Sequence, residues 1–303
     1  MMSEEDIVEY HNIGKTVKRV FCIGNGESRR SIDLRQLREH GKIYGCNALY
    51  RDFKPDVLVA VDQGIMHEIY HSGYAHNNEC YFRNWSKVPA DLFENMIKSG
   101  VSEDDIKMAR EEGAFYENKR TIQTSHFVMH GSNVAGVVTI IKKDKSKQKK
   151  HIQQKTIKIS WIKDNDKSNC INDILDKKKD PGWAAGPTSG YIACVKEQPD
   201  EIYLVGHDLN STTGKVNNMY KGTDNYVVAD HSPTPSVNWV TQWKQTFWDF
   251  NGRNTHKKIQ FYKVNPNLRD MNEVNKPVLE WDGTVRNLQY IDMAEFKKRF
   301  NIK

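Results

Sequence analysis

The stretch RVFCIGNGESRRSIDLRQLREHGKIYGCNALYRDFKPDVLVAVD, Arg19 to Asp62, decides the fold class. It contains three short apolar runs, and each ends on residues suited to a turn or a polar contact. VKRVFCIG (17–24) is rich in β-branched residues and closed by glycine, which predicts a buried strand. SIDLRQLREHG (31–41) sets Ile32, Leu34 and Leu37 on one side and stops at Gly41, predicting a short amphipathic helix. KIYGCN (42–47) and DVLVAVD (56–62), the latter behind Lys54-Pro55, predict two further strands. Strand, helix, strand, strand at this spacing predicts an α/β protein with a doubly wound, mostly parallel sheet.

Working outward, CYFRNW (80–85) predicts another strand, and ADLFENMIKSGVSEDDIKMAREEG (90–113) reads as charged helical text. HFVMHGSNVAGVVTIIKK (126–143) predicts a glycine turn feeding a helix of small residues. The chain is then polar and weakly periodic to about Asp180, as expected of an irregular insertion or lid. Regular text resumes with a helix from Thr188 to about Gln198, the strand EIYLVG (201–206) and a polar loop from Asn210 to Asp230. The aromatic helix SVNWVTQWKQTFWDFNG (236–252), the strand KIQFYKVN (258–265) and the helix IDMAEFKKRF (291–300) close the chain. No internal repeat is visible.

Hydrophobic content of 38% with 28% charged residues suits a soluble globular chain, and no apolar run approaches the roughly 18 residues that span a bilayer. The first residues, MMSEEDIVEYHNIGK, are acidic and polar, so no secretory signal is expected. Five cysteines without CxxC pairs argue for reduced thiols and a cytoplasmic setting, with Cys22, Cys46 and Cys194 as packing residues. The net charge of +6 concentrates in IIKKDKSKQKKHIQQKTIK (140–158). Such a block reads as a solvated loop or as a phosphate-contacting arm, through Lys142, Lys143, Lys145, Lys147, Lys149 and Lys150. It has no interleaved aromatics, so base stacking is not indicated there.

In an open α/β sheet, ligands bind beyond the carboxyl ends of the strands, where strand order reverses. Four such ends carry suggestive residues. Gly24-Asn25-Gly26-Glu27-Ser28 pairs glycines with a following helix start, which suits the approach of a phosphate, although neither GxGxxG nor a Walker loop is present. Asn47 offers an amide that both donates and accepts, or serves only the turn. Asp62 offers a carboxylate for ribose hydroxyls or a metal, or a helix cap. Gly206-His207-Asp208 ends a fourth strand, and Thr188-Ser189-Gly190 opens the preceding helix as a second cradle or as a plain N-cap.

These residues carry a resemblance. VFCIGNGESRRSIDLRQLREHGKIYGCNALYRDF, TSGYIACVKEQPDEIYLVGHDLN and DHSPTPSVNWVTQWKQTF are similar to three blocks of the metal-independent bacterial sialyltransferases, with their Rossmann-like fold. Motility-associated glycosyltransferases and pterin diphosphokinase-like proteins share the GNGPS turn and the KPD...D strand, here Lys54-Pro55-Asp56 to Asp62. The likeness covers roughly residues 17–62 and 186–265. The middle is not covered; the expected division is residues 1–16 as an N-terminal extension, 17–139 as the nucleotide-binding part, 140–180, from its polar and weakly periodic text, as the Lys-rich insertion or lid, and 181–303 as the second part of the same domain with the catalytic loop.

The resemblance also implies roles. Gly24, Asn25, Gly26 and Ser28 would lie against donor phosphate and ribose, with Gly206 and Asp208 beside them. Asn47 would touch the nucleotide, and Thr188, Ser189 and Gly190 would hold phosphate and sugar. His231 would be the general base, a task an imidazole suits because it titrates near neutrality. Glu27 replaces the family's proline, and Asn210 stands where the family has an aromatic residue. Tyr220 or Tyr226 would then supply the hydroxyl to the leaving phosphate, a role taken elsewhere by a metal.

The expected activity is therefore transfer of a sugar, with inversion, from a CMP- or UDP-linked donor to an acceptor hydroxyl, without a metal. Text of this kind also resembles proteins of large tailed phages, which glycosylate hydroxymethylated cytosine in their DNA. The Lys-rich segment and seven tryptophans suit a DNA acceptor, and a glycan or small molecule fits the motifs equally. Two alternatives stay open: a pterin-type diphosphokinase with a metal on Asp62 and Asp208, and a nucleotide- or nucleic-acid-binding protein without catalysis. His67 and His71 have the i, i+4 spacing of a zinc pair but lack HExxH and a third ligand, so no metal is expected there.

Overall fold

The structure is a computed structural model that describes residues 16–83, 127–130, 137–141, 147–151, 159–162, 183–209, 211, 213–235, 237–253, 256–265 and 285–303. Three runs open it, buried but for the first residues of the first two: β1 (Arg19–Ile23), β2 (Lys42–Cys46) and β3 (Val57–Ala60). A strand with both faces covered has no solvent side, so its sequence shows continuous apolar text rather than alternation. Helices α1 (Gln63–His71) and α2 (Tyr74–Asn77) follow, and then β4 (Glu79–Arg83). Further along come β5 (Phe127–His130), β6 (Val137–Ile141), β7 (Lys147–His151) and β8 (Ile159–Ile162). The last part holds α3 (Ala185–Glu197), β9 (Glu201–Val205), α4 (Val237–Asp249), β10 (Gln260–Asn265), β11 (Leu288–Asp292) and α5 (Met293–Arg299).

Eight of these strands form one sheet in the order β11-β10-β9-β1-β2-β3-β4-β8, and every pairing in it is parallel. The chain builds outward from β1 through β4 to β8, then returns to the other side of β1 with β9. Strand order therefore reverses between β1 and β9, and the crevice of this Rossmann-like α/β fold opens there.

Each face of the sheet has its own core. One face packs Phe21, Tyr203, Ile65, Met66 and Phe296 under α1 and α5. The other packs Cys22, Leu204, Phe261, Trp243 and Phe247 under α3 and α4. The four described cysteines, Cys22, Cys46, Cys80 and Cys194, are buried free thiols, as packing residues should be. Among the described residues no helix is long and apolar enough to cross a membrane.

Four local expectations are corrected. Val137–Ile141 is a strand, not a helix: it pairs antiparallel with β5 and β7 in a separate three-stranded sheet. The run VVTII is wholly β-branched, and that outweighs the small residues before it. The 31–41 helix is instead a pair of 3-10 turns, Glu27–Ser31 and Leu34–Leu37. β8 lies inside the expected 140–180 insertion yet forms the edge of the main sheet. Finally, Ile291 and Asp292 end β11, and Asp292 caps α5 by accepting from the Glu295 N–H at 2.7 Å.

Candidate functional site

The turn after β1 is stitched to the end of β9 across the crevice. Gly24 N–H donates to Val205 O at 2.8 Å and Gly26 N–H to Gly206 O at 2.7 Å. A Cβ on Gly24 would stand 2.4 Å from Gly206 O, and one on Gly26 would stand 2.4 Å from Asp208 Oδ2. The two glycines thus clear space for β9's own end, where Gly206 turns with φ +69°. This corrects the expectation of an open phosphate cradle. Glu27 N–H is taken by Asn217 Oδ1 at 2.8 Å, Ser28 N–H by Asp208 Oδ2 at 3.1 Å, and Arg29 N–H by Gly26 O. Ser28 Oγ also donates to Asp208 Oδ1, so that carboxylate is engaged through both oxygens.

Above this seam lies a cleft of about 520 Å³. Gly24, Asn25, Gly26, Asn47, Asp62, Gly206, His207 and Asp208 line it, from the ends of four strands. The N-terminus of α3 (Ala184 to Pro187), Tyr226, Val227, Pro233, Thr234, Trp239 and Trp243 complete the wall. The strand ends named from sequence therefore converge on one cavity. Asn47 adopts a left-handed φ of +50°, a strain asparagine tolerates better than most residues. Its side chain bonds Asp62, which occupies the N-cap position of α1 without capping it. Burial raises the Asp62 carboxyl above the usual range, against the pull of Arg83 and the Asn47 bond.

Six sequence-predicted residues, Ser28, Thr188, Ser189, Gly190, Tyr220 and His231, fall outside the cavity wall. α3 begins at Ala185, so Thr188 and Ser189 sit inside the helix rather than at its start. Their hydroxyls donate back to Ala184 O and Gly186 O, both at 2.9 Å, and Gly190 is packed against Trp243. The free N–H groups of the helix end belong instead to Ala185 and Gly186, and Pro187 has none to offer. Tyr220 is also drawn away. Its hydroxyl donates to Asp52 and accepts from Arg29 NH2 at 2.8 Å.

Tyr226 does line the cleft. Its hydroxyl accepts from Asn25 Nδ2 at 3.2 Å and from Ala48 N–H at 3.3 Å, which leaves its own proton for a further acceptor. The surrounding loop is clasped down. Arg51 holds Thr223 Oγ1 and Asp224 O, and Asn225 donates to Glu68 Oε2 at 2.8 Å. His231 is exposed on the same loop, with Nδ1 2.6 Å from Ser232 O, between the lining residues Val227 and Pro233.

Sequence reasoning named His207 only within the strand end Gly206-His207-Asp208, and it missed Trp239 and Trp243 as wall residues. His207 is 6% exposed, and burial followed by the charge of Lys263 lowers its pKa to about 3, so it is neutral at pH 7. Its ring stands edge-on to Trp243 with centroids 5.0 Å apart. Asn25 Oδ1, Asn47 Oδ1, His207 Nε2 and Trp243 Nε1 are all buried polar atoms without a hydrogen-bond partner, and all belong to residues lining this one cleft. They are four of the eleven such atoms among the described residues, and their sharing of one cleft wall suits a surface built for a ligand.

His67 and His71 lie on α1 with ring centroids 6.2 Å apart, and among the described residues no three His, Cys, Asp or Glu side chains gather in metal-binding geometry. Of the Lys-rich segment, Lys147, Lys149 and Lys150 lie in β7, whereas Lys142, Lys143, Lys145 and the departure at Asn210 lie outside the described residues. Compared with known proteins, the chain matches no family model, no curated protein and no solved structure.

Proposed function

We propose that the protein is a glycosyltransferase that moves a sugar from a CMP- or UDP-linked donor to an acceptor hydroxyl. The reading rests above all on the cleft at the β1/β9 reversal, with its orphaned polar atoms. Asn25 Oδ1, Asn47 Oδ1 and the Asp62 carboxyl make an acceptor-rich end, which matches ribose hydroxyls and the N–H edge of a base. The acceptor oxygen attacks the anomeric carbon from one side as the bond to phosphate breaks on the other. His231, on the loop at the cleft rim, takes the acceptor proton, and the spare proton of Tyr226 is offered to the leaving phosphate. No metal is required in this scheme.

The diphosphokinase alternative needs Asp62 and Asp208 as a metal pair, and it is disfavoured by the commitment of Asp208 to Ser28. For the acceptor, the β6–β7 ribbon, with three lysines in β7, is of a shape that lies along a nucleic-acid groove. That supports DNA bearing hydroxymethylated bases over a glycan or small molecule as the acceptor, and with it a proposed setting in the cytoplasm of a phage's host. The test is nucleotide release from a panel of CMP- and UDP-sugars, with hydroxymethylated DNA as acceptor and EDTA present. One pyrimidine donor should be consumed, and His231→Ala should slow it by about 10²–10⁴-fold. Turnover only with ATP and magnesium, or full activity in His231→Ala, would contradict the proposal.

A further inference from the structure

On the α4 side of the sheet, at the ends of β9 and β10, four nitrogen groups have unused hydrogen-bonding capacity. Lys263 is fully buried in β10 and donates to Asn265 Oδ1 at 2.7 Å. That bond orients the amide, and its buried Nδ2 has no partner. His207 Nε2 and Trp243 Nε1 are unpartnered too, on residues that line the cleft and are 6% and 0% exposed. The benzo edge of Trp243 packs against Gly190, which puts the indole N–H on the opposite edge of the ring. A Cβ on Gly186, in the first turn of α3, would stand 3.0 Å from His207 Cε1, so that helix end adjoins the same place.

The charge balance is unusual. Arg29, the other buried cation among the described residues, pairs with Asp52 and Tyr220. Lys263 forms no ion pair with any described carboxylate. Asp208, whose charge it feels, is held through both oxygens by Ser28. A buried ammonium without a counter-charge is costly, and a cluster of donors around it is what an incoming anion satisfies. Elsewhere on the cleft wall, Asn25, Asn47 and Asp62 present acceptors instead.

We propose that the inner end of the cleft is an anion subsite. An anionic group of the ligand, other than the leaving phosphate that Tyr226 serves, takes the Trp243 N–H, and Lys263 is the positioning residue whose buried charge holds it there. This deepens the reading of the cleft as a ligand site and rests on it: a second anionic group lies beside α3 and α4, apart from the leaving phosphate at Tyr226. Burial lowers the Lys263 pKa to about 8, against 10.5 in water, so its charge is lost just above neutrality. The titratable groups nearest on this side of the sheet are Asp208 and His207 after β9, Cys22 on β1, Cys194 on α3 and Tyr290 on β11. His207 is already neutral, and burial moves both thiols upward, away from this window.

The test is titration of the full chain with sulfate, which keeps its charge across the range, read by tryptophan fluorescence at pH 7 and pH 9. The wild type should bind roughly tenfold more weakly at pH 9, because only about a tenth of Lys263 then carries its proton. Lys263→Met should bind weakly with no pH dependence. Trp243→Phe should weaken binding several-fold at both pH values and keep the pH dependence; it also opens a cavity in the core, so its affinity is compared below its own, lower melting temperature. Uridine and cytidine carry no anionic group and report on the acceptor-rich end alone, so their binding tests the cleft reading separately and should be the same in Lys263→Met. Absence of sulfate binding, a pH-independent wild type, or wild-type binding by Lys263→Met would overturn the subsite.

Discussion

The two faces of the sheet use similar materials for opposite ends. Under α5, Phe21, Tyr203, Phe296 and Phe300 form an aromatic cluster with centroids 4.9–6.2 Å apart. Its one polar atom is matched: Tyr203 donates to Glu201 at 2.9 Å and accepts from Arg299 at 3.1 Å. Under α4, Trp243, Phe247 and Phe261 pack as densely, with centroids of 5.9 and 4.8 Å. Yet that face also buries Lys263, Asn265 and His207, whose polar groups are incompletely matched. A face that only stabilises has no reason to carry such groups. On the α4 side the mismatched groups include cleft-lining residues, whereas the orphaned Tyr74 hydroxyl of the other face belongs to a residue outside the cleft wall.

The sharpest way to break this comparison is Phe296→Ala. Removing a fully buried aromatic should cost about 3–5 kcal/mol in urea unfolding and leave nucleotide affinity of the folded fraction unchanged. Lys263→Met should do the reverse. The folded ammonium has its pKa lowered to about 8 against 10.5, so the unfolded chain holds the proton more tightly between those values. Wild-type stability therefore rises with pH through that window, and below it the charge costs about 3 kcal/mol, which the methionine variant should recover along with a flat profile there. Denaturant midpoints across pH 7 to pH 11 check both. A destabilised variant would return Lys263 to the structural face.

Gly26→Ala tests the seam. Its Cβ would meet Asp208 Oδ2 at 2.4 Å and Gly206 O at 2.6 Å, so a loss of about 1–3 kcal/mol is expected together with weakened nucleotide binding. The smallest structural effect belongs to His231→Ala. An exposed loop histidine should change stability by no more than about 0.5 kcal/mol while transfer falls sharply. Comparison of melting temperature and turnover in the same preparation separates the two.

The positions of the strand ends were legible because β1, β2, β3 and β9 are buried on both sides and close on Gly24, Cys46-Asn47, Asp62 and Gly206. β11 was not, since its half-buried pattern merges into the helix that Asp292 caps. The start of α3 was misplaced because Thr188 and Ser189 look like caps in text, whereas both hydroxyls bond back within the helix. His207 was named only with its strand end, and Trp243 and Lys263 escaped, because their meaning depends on partners far away in sequence. The one local hint was a lysine inside the otherwise apolar alternation of QFYKVN. Orphaned atoms cannot be read from a sequence, because being unpartnered is a property of the fold.

The most direct test of the cleft as a pyrimidine-nucleotide site is the melting temperature with CMP, CDP, UMP, UDP, GDP and ATP, each with and without EDTA. A ligand at a hundredfold excess over its Kd adds about 2.7 kcal/mol, which for a chain of this size is a rise of roughly 5 °C. The account predicts that rise for a cytidine or uridine nucleotide, insensitive to EDTA and lost in Gly26→Ala. No shift with any pyrimidine nucleotide, or a shift confined to ATP with magnesium, would contradict it.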